Sequence, residues 1–303
     1  MITVVGEALL DLVAEAGGRA FAAHPGGSPA NVAVGLARLG SPVRLATHLA
    51  DDVPGRLVSR HLRGSGVAVD LLPAVSTATS VAFAVVDDQG VASYDFRVIW
   101  DVTRGPVLGP ECRCLHTGSI AATLRPGADV VDSMLTTERA RGAVTICLDP
   151  NIRPSLVGPR ETVREHVERQ VSRSDVVKVS AQDLSWLYPD EQPERIAGRW
   201  RDAGPTLVVV TLGAAGAYAI GHNVEIRRPA VPVEVVDTVG AGDAFTAGLL
   251  DGLLRADLLG GGQRDRLATI DEATLTSLLE FALRVAALTC ARAGADPPRL
   301  DEL

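Results

Sequence analysis

The sequence predicts an α/β fold: a mostly parallel central sheet covered by helices on both faces, with a small β-sheet projecting from it. Three observations carry this expectation. Short apolar strand-like segments alternate with helix-period segments from about residue 114 to 211. Two stretches, near 11–24 and 77–100, alternate polar and apolar residues instead, as a half-exposed sheet does. A chain of 303 residues that is 47% hydrophobic has ample material for one large core.

The elements follow in order. Residues 2–5 read as a buried strand ending at Gly6. Ser28 and Pro29 open a helix, with Ser as N-cap and Pro at N1. Its apolar face is Val32, Leu36 and Leu39, and it stops at Gly40. A short strand at 43–46 and a helix at 56–62 precede Gly66. Residues 81–86 and 92–96 flank the turn Asp87-Asp88-Gln89-Gly90 as a hairpin. Strands at 114–116, 144–148, 176–179 and 206–211 then alternate with helices at 128–137, 161–172 and 193–203. A hairpin-like stretch covers 216–226, a surface loop 259–263 and a final helix 271–292. No linker, internal repeat or low-complexity segment interrupts this pattern.

Composition narrows the function. The formal net charge is −8 and no basic patch is interleaved with aromatics, so nucleic acid is not an expected partner. A bound polyphosphate would have to be held locally, by amides, a few cations and metal. The start MITVVGEALLDLV lacks a basic leader, and no uninterrupted apolar run is long enough to span a bilayer. A cytoplasmic setting without membrane attachment is expected. Cys112, Cys114, Cys147 and Cys290 lack zinc-site spacing and are expected to be reduced thiols. Lys178 is the only lysine. His48, His116, Trp100, Trp186 and Trp200 read as core or loop residues.

The most informative stretch is VVDTVGAGDAFTAGLLDGLL, residues 235–254. It reads as an apolar strand closed by Val235 and Val236, a turn of Gly240, Ala241 and Gly242, and a helix presenting Phe245, Leu249 and Leu253. Unpaired N–H groups at a helix start attract a phosphate, and small residues let it approach. Asp243 enters the first helical turn beside that anion site. A carboxylate there suits a base that takes a proton from an alcohol attacking the phosphate. The plainer reading is a tight turn with an acid complementing the helix dipole. The second informative segment is HPGGSPANVAVGLARLG, residues 24–40. Gly26 and Gly27 allow a ligand against the backbone, and Asn31 offers both a donor and an acceptor to a sugar hydroxyl.

The string from Asp237 to Asp243 resembles the DTxGAGD signature of the ribokinase-like (PfkB) carbohydrate kinases, and GGSPAN resembles their first signature. Gly6-Glu7 with Asp11, and Asp149-Pro150-Asn151-Ile152-Arg153, are similar to the fructokinase branch. Ala50-Asp51-Asp52 departs from the family, which usually has Gly before the Asp pair. The resemblance implies a ribokinase-like three-layer α/β/α sandwich over residues 1–303, with a lid near 11–24 and 77–100. It implies transfer of the γ-phosphoryl group of ATP to a sugar primary alcohol. Asp243 would be the base, and the amides of Gly240, Ala241 and Gly242 the anion hole. Asp11, Gly26, Gly27, Asn31, Arg97, Arg153 and Asp243 would line the sugar site. Lys178, Ser180, Thr211, Gly213, Gly216, Gly242 and Cys290 would lie on the nucleotide side. Thr211 to Gly216 is similar to the TxGxxG nucleotide loop. Ser180-x-x-Asp183 stands where ribokinases carry NxxE, which assigns Asp183 to Mg²⁺ through water; the same residues also read as a helix cap with a first-turn acid. Asp237 and the Val239 carbonyl would hold a monovalent cation such as K⁺. D-Fructose is the favoured substrate and 2-keto-3-deoxygluconate the main alternative. A non-catalytic sugar or nucleotide sensor is the alternative of a different class. A homodimer paired through the exposed lid is the expected assembly.

Overall fold

Along the central strands, neighbouring residues enter different cores. Ile2 and Val4 belong to one apolar cluster and Val5 to another; Val176 and Val209 likewise separate from Val177, Val179, Val208 and Val210. This period of two makes a sheet with two buried faces, as parallel strands require. The computed structural model describes residues 1–15, 20–86 and 92–303.

The chain runs β1 (Ile2–Val5), β2 (Leu9–Glu15), β3 (Ala22–Gly26), α1 (Ser28–Arg38), β4 (Val43–Thr47), α2 (Val53–Gly64), β5 (Ala68–Leu71), β6 (Val81–Val86) and β7 (Ala92–Arg97). It continues through β8 (Cys114–Gly118), α3 (Ser119–Thr123), α4 (Gly127–Arg141), β9 (Thr145–Asp149), α5 (Arg160–Val171), β10 (Val176–Ser180), α6 (Ala181–Leu187), α7 (Pro193–Asp202) and β11 (Leu207–Thr211). The last elements are β12 (Ala217–Ile220), β13 (Glu225–Arg228), α8 (Ala241–Arg255), α9 (Arg264–Ala268) and α10 (Glu272–Cys290).

Among the described residues the main sheet has the order β13-β12-β11-β10-β9-β8-β1-β4-β5. Its pairs are parallel except β11–β12 and β12–β13. The chain leaves β1 toward β4 and β5 on one side and later returns to β8 on the other. That reversal opens a crevice at the carboxyl ends of the strands, where ligands of open α/β sheets bind. The second sheet, β3-β2-β6-β7, has β2 and β6 parallel and its outer pairs antiparallel. Leu9, Ala82 and Ile120 pack this lid on the body.

One core joins α1, α8 and α10 to the sheet; Val32, Leu36, Phe245, Leu249, Leu279 and Val285 are all within it. Helix α10 is long and apolar enough to span a membrane by length and composition. Here Leu275, Leu279, Ala282 and Val285 lie in the core, so its apolarity has a packing cause. Trp100, Trp200 and His116 are buried, as expected.

Several expectations need correction. Val235 and Val236 form no strand; both are more than half exposed, and the segment is held by Val236 and Asp237 N–H groups donating to Cys290 O. Ser28 is not the N-cap of α1: Gly27 is, at φ 101°, and Ser28 already lies inside the helix. Leu259 and Gly260 are buried rather than part of a surface loop, and Gly260 N–H donates to Thr145 Oγ1. Strand β5 and helix α3 were not anticipated; each is short. The hairpin turn at 87–90 lies outside the described residues.

Candidate active site

The carboxyl end of β9, Lys178 of β10 and the starts of α1 and α8 converge around Asp243. Gly240 makes the convergence possible. It caps α8 in the left-handed region at φ 75°, and a Cβ there would stand 2.6 Å from Ala295 Cβ. Asp243 follows in the first turn and is 7% exposed. Each of its carboxylate oxygens is held by α1: Ser28 Oγ donates to Oδ1 at 2.6 Å, and Asn31 Nδ2 donates to Oδ2 at 2.9 Å. Burial pushes the Asp243 carboxyl up; the Ser28 and Asn31 hydrogen bonds and the Lys178 charge pull against it. The first-turn amides of α8 precede the helical bond from Ala244 N–H to Gly240 O, 2.8 Å, and so face away from the helix body. Of the 240–242 amides, that of Ala241 donates to Thr238 O at 3.2 Å.

The loop after β9 adds a second layer. Asn151, at φ 37°, donates through Nδ2 to Ser28 Oγ at 2.7 Å. Its Oδ1 accepts from Arg153 Nη1 at 2.7 Å. Arg153 is close enough to Glu7 and Asp11 for its charge to lower both carboxyls, although burial dominates and leaves them at about 7 and about 6. Asp11 faces Gly26 across the β2–β3 pair: a Cβ on Gly26 would lie 2.1 Å from Asp11 Oδ2. Gly27 is confined similarly, with Glu7 O 2.6 Å from the place of its Cβ. Arg97 is exposed on β7, and its described hydrogen bonds go to Asp95 Oδ1 and Phe96 O.

Lys178 is 3% exposed. Its ammonium donates to Asp149 Oδ2 at 2.9 Å, and a Cβ on Gly242 would be 3.1 Å from Nζ. Burial, the largest influence, pulls the Lys178 pKa down, but the charge and hydrogen bond of Asp149, with Asp243 and Asp183, outweigh it and hold the pKa up. The lysine therefore stands behind the Gly-Ala-Gly turn rather than on an open nucleotide face. Asp149 Oδ2 also accepts from Thr246 Oγ1 at 3.3 Å.

Ser180 and Asp183 form a capping box on α6. Asp183 Oδ2 accepts from Ser180 Oγ at 2.6 Å, and Oδ1 accepts from Ile152 N–H at 2.9 Å. Burial pushes its carboxyl up. Oδ1 thus anchors the Asn151–Arg153 loop and Oδ2 stays within the capping box, so the cap reading accounts for both oxygens. Asp237 links two loops, accepting from Val239 N–H at 2.9 Å and Gly294 N–H at 2.8 Å. Thr211 ends β11, and Gly213 follows at φ 58° with open space beside it. Gly216 serves packing: its Cβ would meet Arg228 O at 2.0 Å. The Cys290 contribution is its carbonyl, which fastens residues 236 and 237 to α10.

Sequence reasoning missed Ser28, Asn151 and Asp149 as parts of this cluster. All three stand inside the motifs GGSPAN and DPNIR, whose turn and cap readings hid their side-chain roles.

The pfkB family carbohydrate kinase model matches residues 1–302. A fructokinase from Rhizobium leguminosarum bv. trifolii is 34% identical over 285 residues, covering 91% of this chain and 85% of its own. A fructokinase from Xylella fastidiosa, solved with bound ATP, superposes with a TM-score of 0.87 at 27% identity, over 99% of this chain and 96% of that one. A double-mutant fructokinase from Vibrio cholerae O395, solved with fructose, ADP and potassium ion, gives a TM-score of 0.79 at 28% identity, over 97% of this chain and 93% of that one. With the match running almost from end to end and the Gly-Ala-Gly-Asp turn intact above a ribokinase-like sheet, the chain belongs to the PfkB family of ATP-dependent carbohydrate kinases.

Proposed function

We propose that this chain transfers the γ-phosphoryl group of ATP to the primary 6-hydroxyl of D-fructose, giving fructose 6-phosphate. The observation that carries the reading is the Asp243 carboxylate, buried at the start of α8 and aimed by two α1 side chains. It accepts the hydroxyl proton as the sugar oxygen attacks phosphorus. Phosphoryl transfer passes through a loose transition state, so the proton leaves late and an ordinary carboxylate is a sufficient acceptor. Amides at the α8 start, with Gly240 and Gly242 keeping the approach open, stabilise the charge on the transferring group. Asp11, Gly26, Gly27, Asn31 and Arg153 hold the sugar, and residues 211–216 and 290–294 flank the nucleotide.

Charge around the base favours a neutral sugar. An acidic substrate such as 2-keto-3-deoxygluconate would bring its carboxylate toward Asp11 and Asp243. Arg153 gives one N–H to Asn151 and already has the Glu7 and Asp11 carboxyls as neighbours, and Arg97 pairs with Asp95 on the exposed lid. Magnesium bound with the phosphates of ATP would supply charge neutralisation there; no step passes through Asp183. Asp237 and the Val239 carbonyl would hold potassium, whose oxygen-ligand chemistry they match. The lid excludes water from the reacting groups, and its open edges β3 and β7 are the surfaces through which two protomers would pair.

The test is ADP release from Mg-ATP with fructose, 2-keto-3-deoxygluconate, ribose, tagatose and adenosine, with and without potassium. Robust fructose-dependent turnover is expected. Preference for another sugar would move the substrate assignment and leave the kinase chemistry standing. Asn31→Ala is expected to raise the sugar KM about tenfold or more and also to lower kcat, because Asn31 touches the base as well as the sugar pocket. An unchanged sugar KM would remove Asn31 from the site.

A further inference from the structure

We infer that Ser28 is the positioning residue of the general base, locked in place by Asn151 and Arg153. The inference rests on the proposed role of Asp243. Its basis is a directed chain of hydrogen bonds: Arg153 Nη1 donates to Asn151 Oδ1 at 2.7 Å, Asn151 Nδ2 donates to Ser28 Oγ at 2.7 Å, and Ser28 Oγ donates to Asp243 Oδ1 at 2.6 Å. Each member has one sense only. Guanidinium cannot accept, so the Asn151 oxygen must face it and the Asn151 amide must face Ser28. The serine hydroxyl then has its proton committed to the carboxylate. A chain of this kind strengthens each bond in it through polarisation.

The geometry would not arise from helix capping. Ser28 is inside α1 and makes no cap bond; Gly27 occupies that position. Asn151 adopts a left-handed backbone at φ 37°, a conformation costly for most side chains and tolerated by Asn. Ser28 is buried at 8% exposed, so the hydroxyl has little water to turn to. Its effect on Asp243 is twofold. It fixes the carboxylate plane, with Asn31 holding the other oxygen, and it favours the ionised form that can take a proton. The other charged groups around Asp243 are Lys178 on β10, which also favours ionisation, and Asp149 on β9, which opposes it. Removing the hydroxyl leaves both in place.

The sign follows from this. Without Ser28 Oγ the base protonates more readily, so the acidic limb of the activity profile moves to higher pH. Ser28→Ala is expected to shift that limb up by about one pH unit and to lower kcat at neutral pH about tenfold or more. The sugar KM should change less than about threefold, since the hydroxyl points at the base. Asn151→Gly keeps the left-handed backbone while deleting the amide; it should shift the limb in the same direction by less, and the double variant should show no added shift. The experiment is the pH dependence of kcat and kcat/KM for the three variants, with melting temperature and ATP-analogue binding measured alongside. An unmoved acidic limb, or an effect confined to the sugar KM or to the melting temperature, would overturn the inference. Asp243→Asn separates the two levels. If that variant turns over normally the base assignment fails; if it is inactive while the Ser28→Ala profile matches wild type, only the role of Ser28 fails.

Discussion

Asp243→Asn is expected to reduce turnover by about 10²–10⁴-fold while ATP and sugar still bind. The substitution is nearly isosteric, and the site can absorb it. The new amide oxygen can still accept from Ser28 Oγ, and its nitrogen can donate to Asn31 Oδ1 once the Asn31 amide turns over. The fold around the site is therefore retained, and binding of an ATP analogue and of fructose should lie within a few-fold of wild type. What is lost is a group able to hold the proton of the attacking hydroxyl. The amides at the α8 start and the bound reactants remain, so a residual rate above the uncatalysed reaction is expected. Near-normal turnover of a correctly folded protein would sink the assignment. Steady-state ADP release, paired with calorimetric titration of each ligand, decides it.

Much of this site was legible because its chemistry is concentrated in short strings. Gly240, Gly242 and Asp243 are adjacent in sequence, and the helix geometry fixes their mutual placement once the helix forms. Asn31 lies one turn into α1 and so could be placed before any fold was known. The misreadings share a different origin. Val231, Val233 and Val235 alternate with other residues and fit a strand period, yet all are exposed. Alternation reports a face suited to a sheet; it does not supply a neighbouring strand, and here Cys290 O takes the backbone bonds instead. Ser28 before Pro29 has the local signature of an N-cap, but its hydroxyl serves an acid 215 positions away. The family resemblance puts Lys178 on the nucleotide side, whereas the structure buries it. Its burial depends on Asp149 arriving from the neighbouring strand, and pairing between β9 and β10 is a tertiary fact.

That buried pair carries the second large effect. Lys178 places an ammonium against the first turn of α8, where the helix dipole is already positive. Two positive features side by side are unfavourable unless a negative charge joins them. Asp149 is one such charge, and the transferring phosphoryl group is the other on the proposed reading. Lys178→Met removes the cation and strands Asp149 in the interior, its second oxygen already lacking a hydrogen-bond partner among the described residues. Breaking one side of a buried pair costs about 3–5 kcal/mol, which corresponds to a melting temperature lower by roughly 5–10 °C. Turnover should fall as well, because the uncompensated Asp149 charge repels phosphate and raises the pKa of Asp243. A purely structural lysine predicts that stability and activity recover together when the stranded charge is removed. The double variant Lys178→Met with Asp149→Asn is expected to regain most of the melting temperature and yet remain at least about tenfold slow at saturating ATP, since no cation then stands behind the anion hole. Recovery of both properties would reduce Lys178 to a packing partner. Recovery of stability alone assigns its charge to the chemistry.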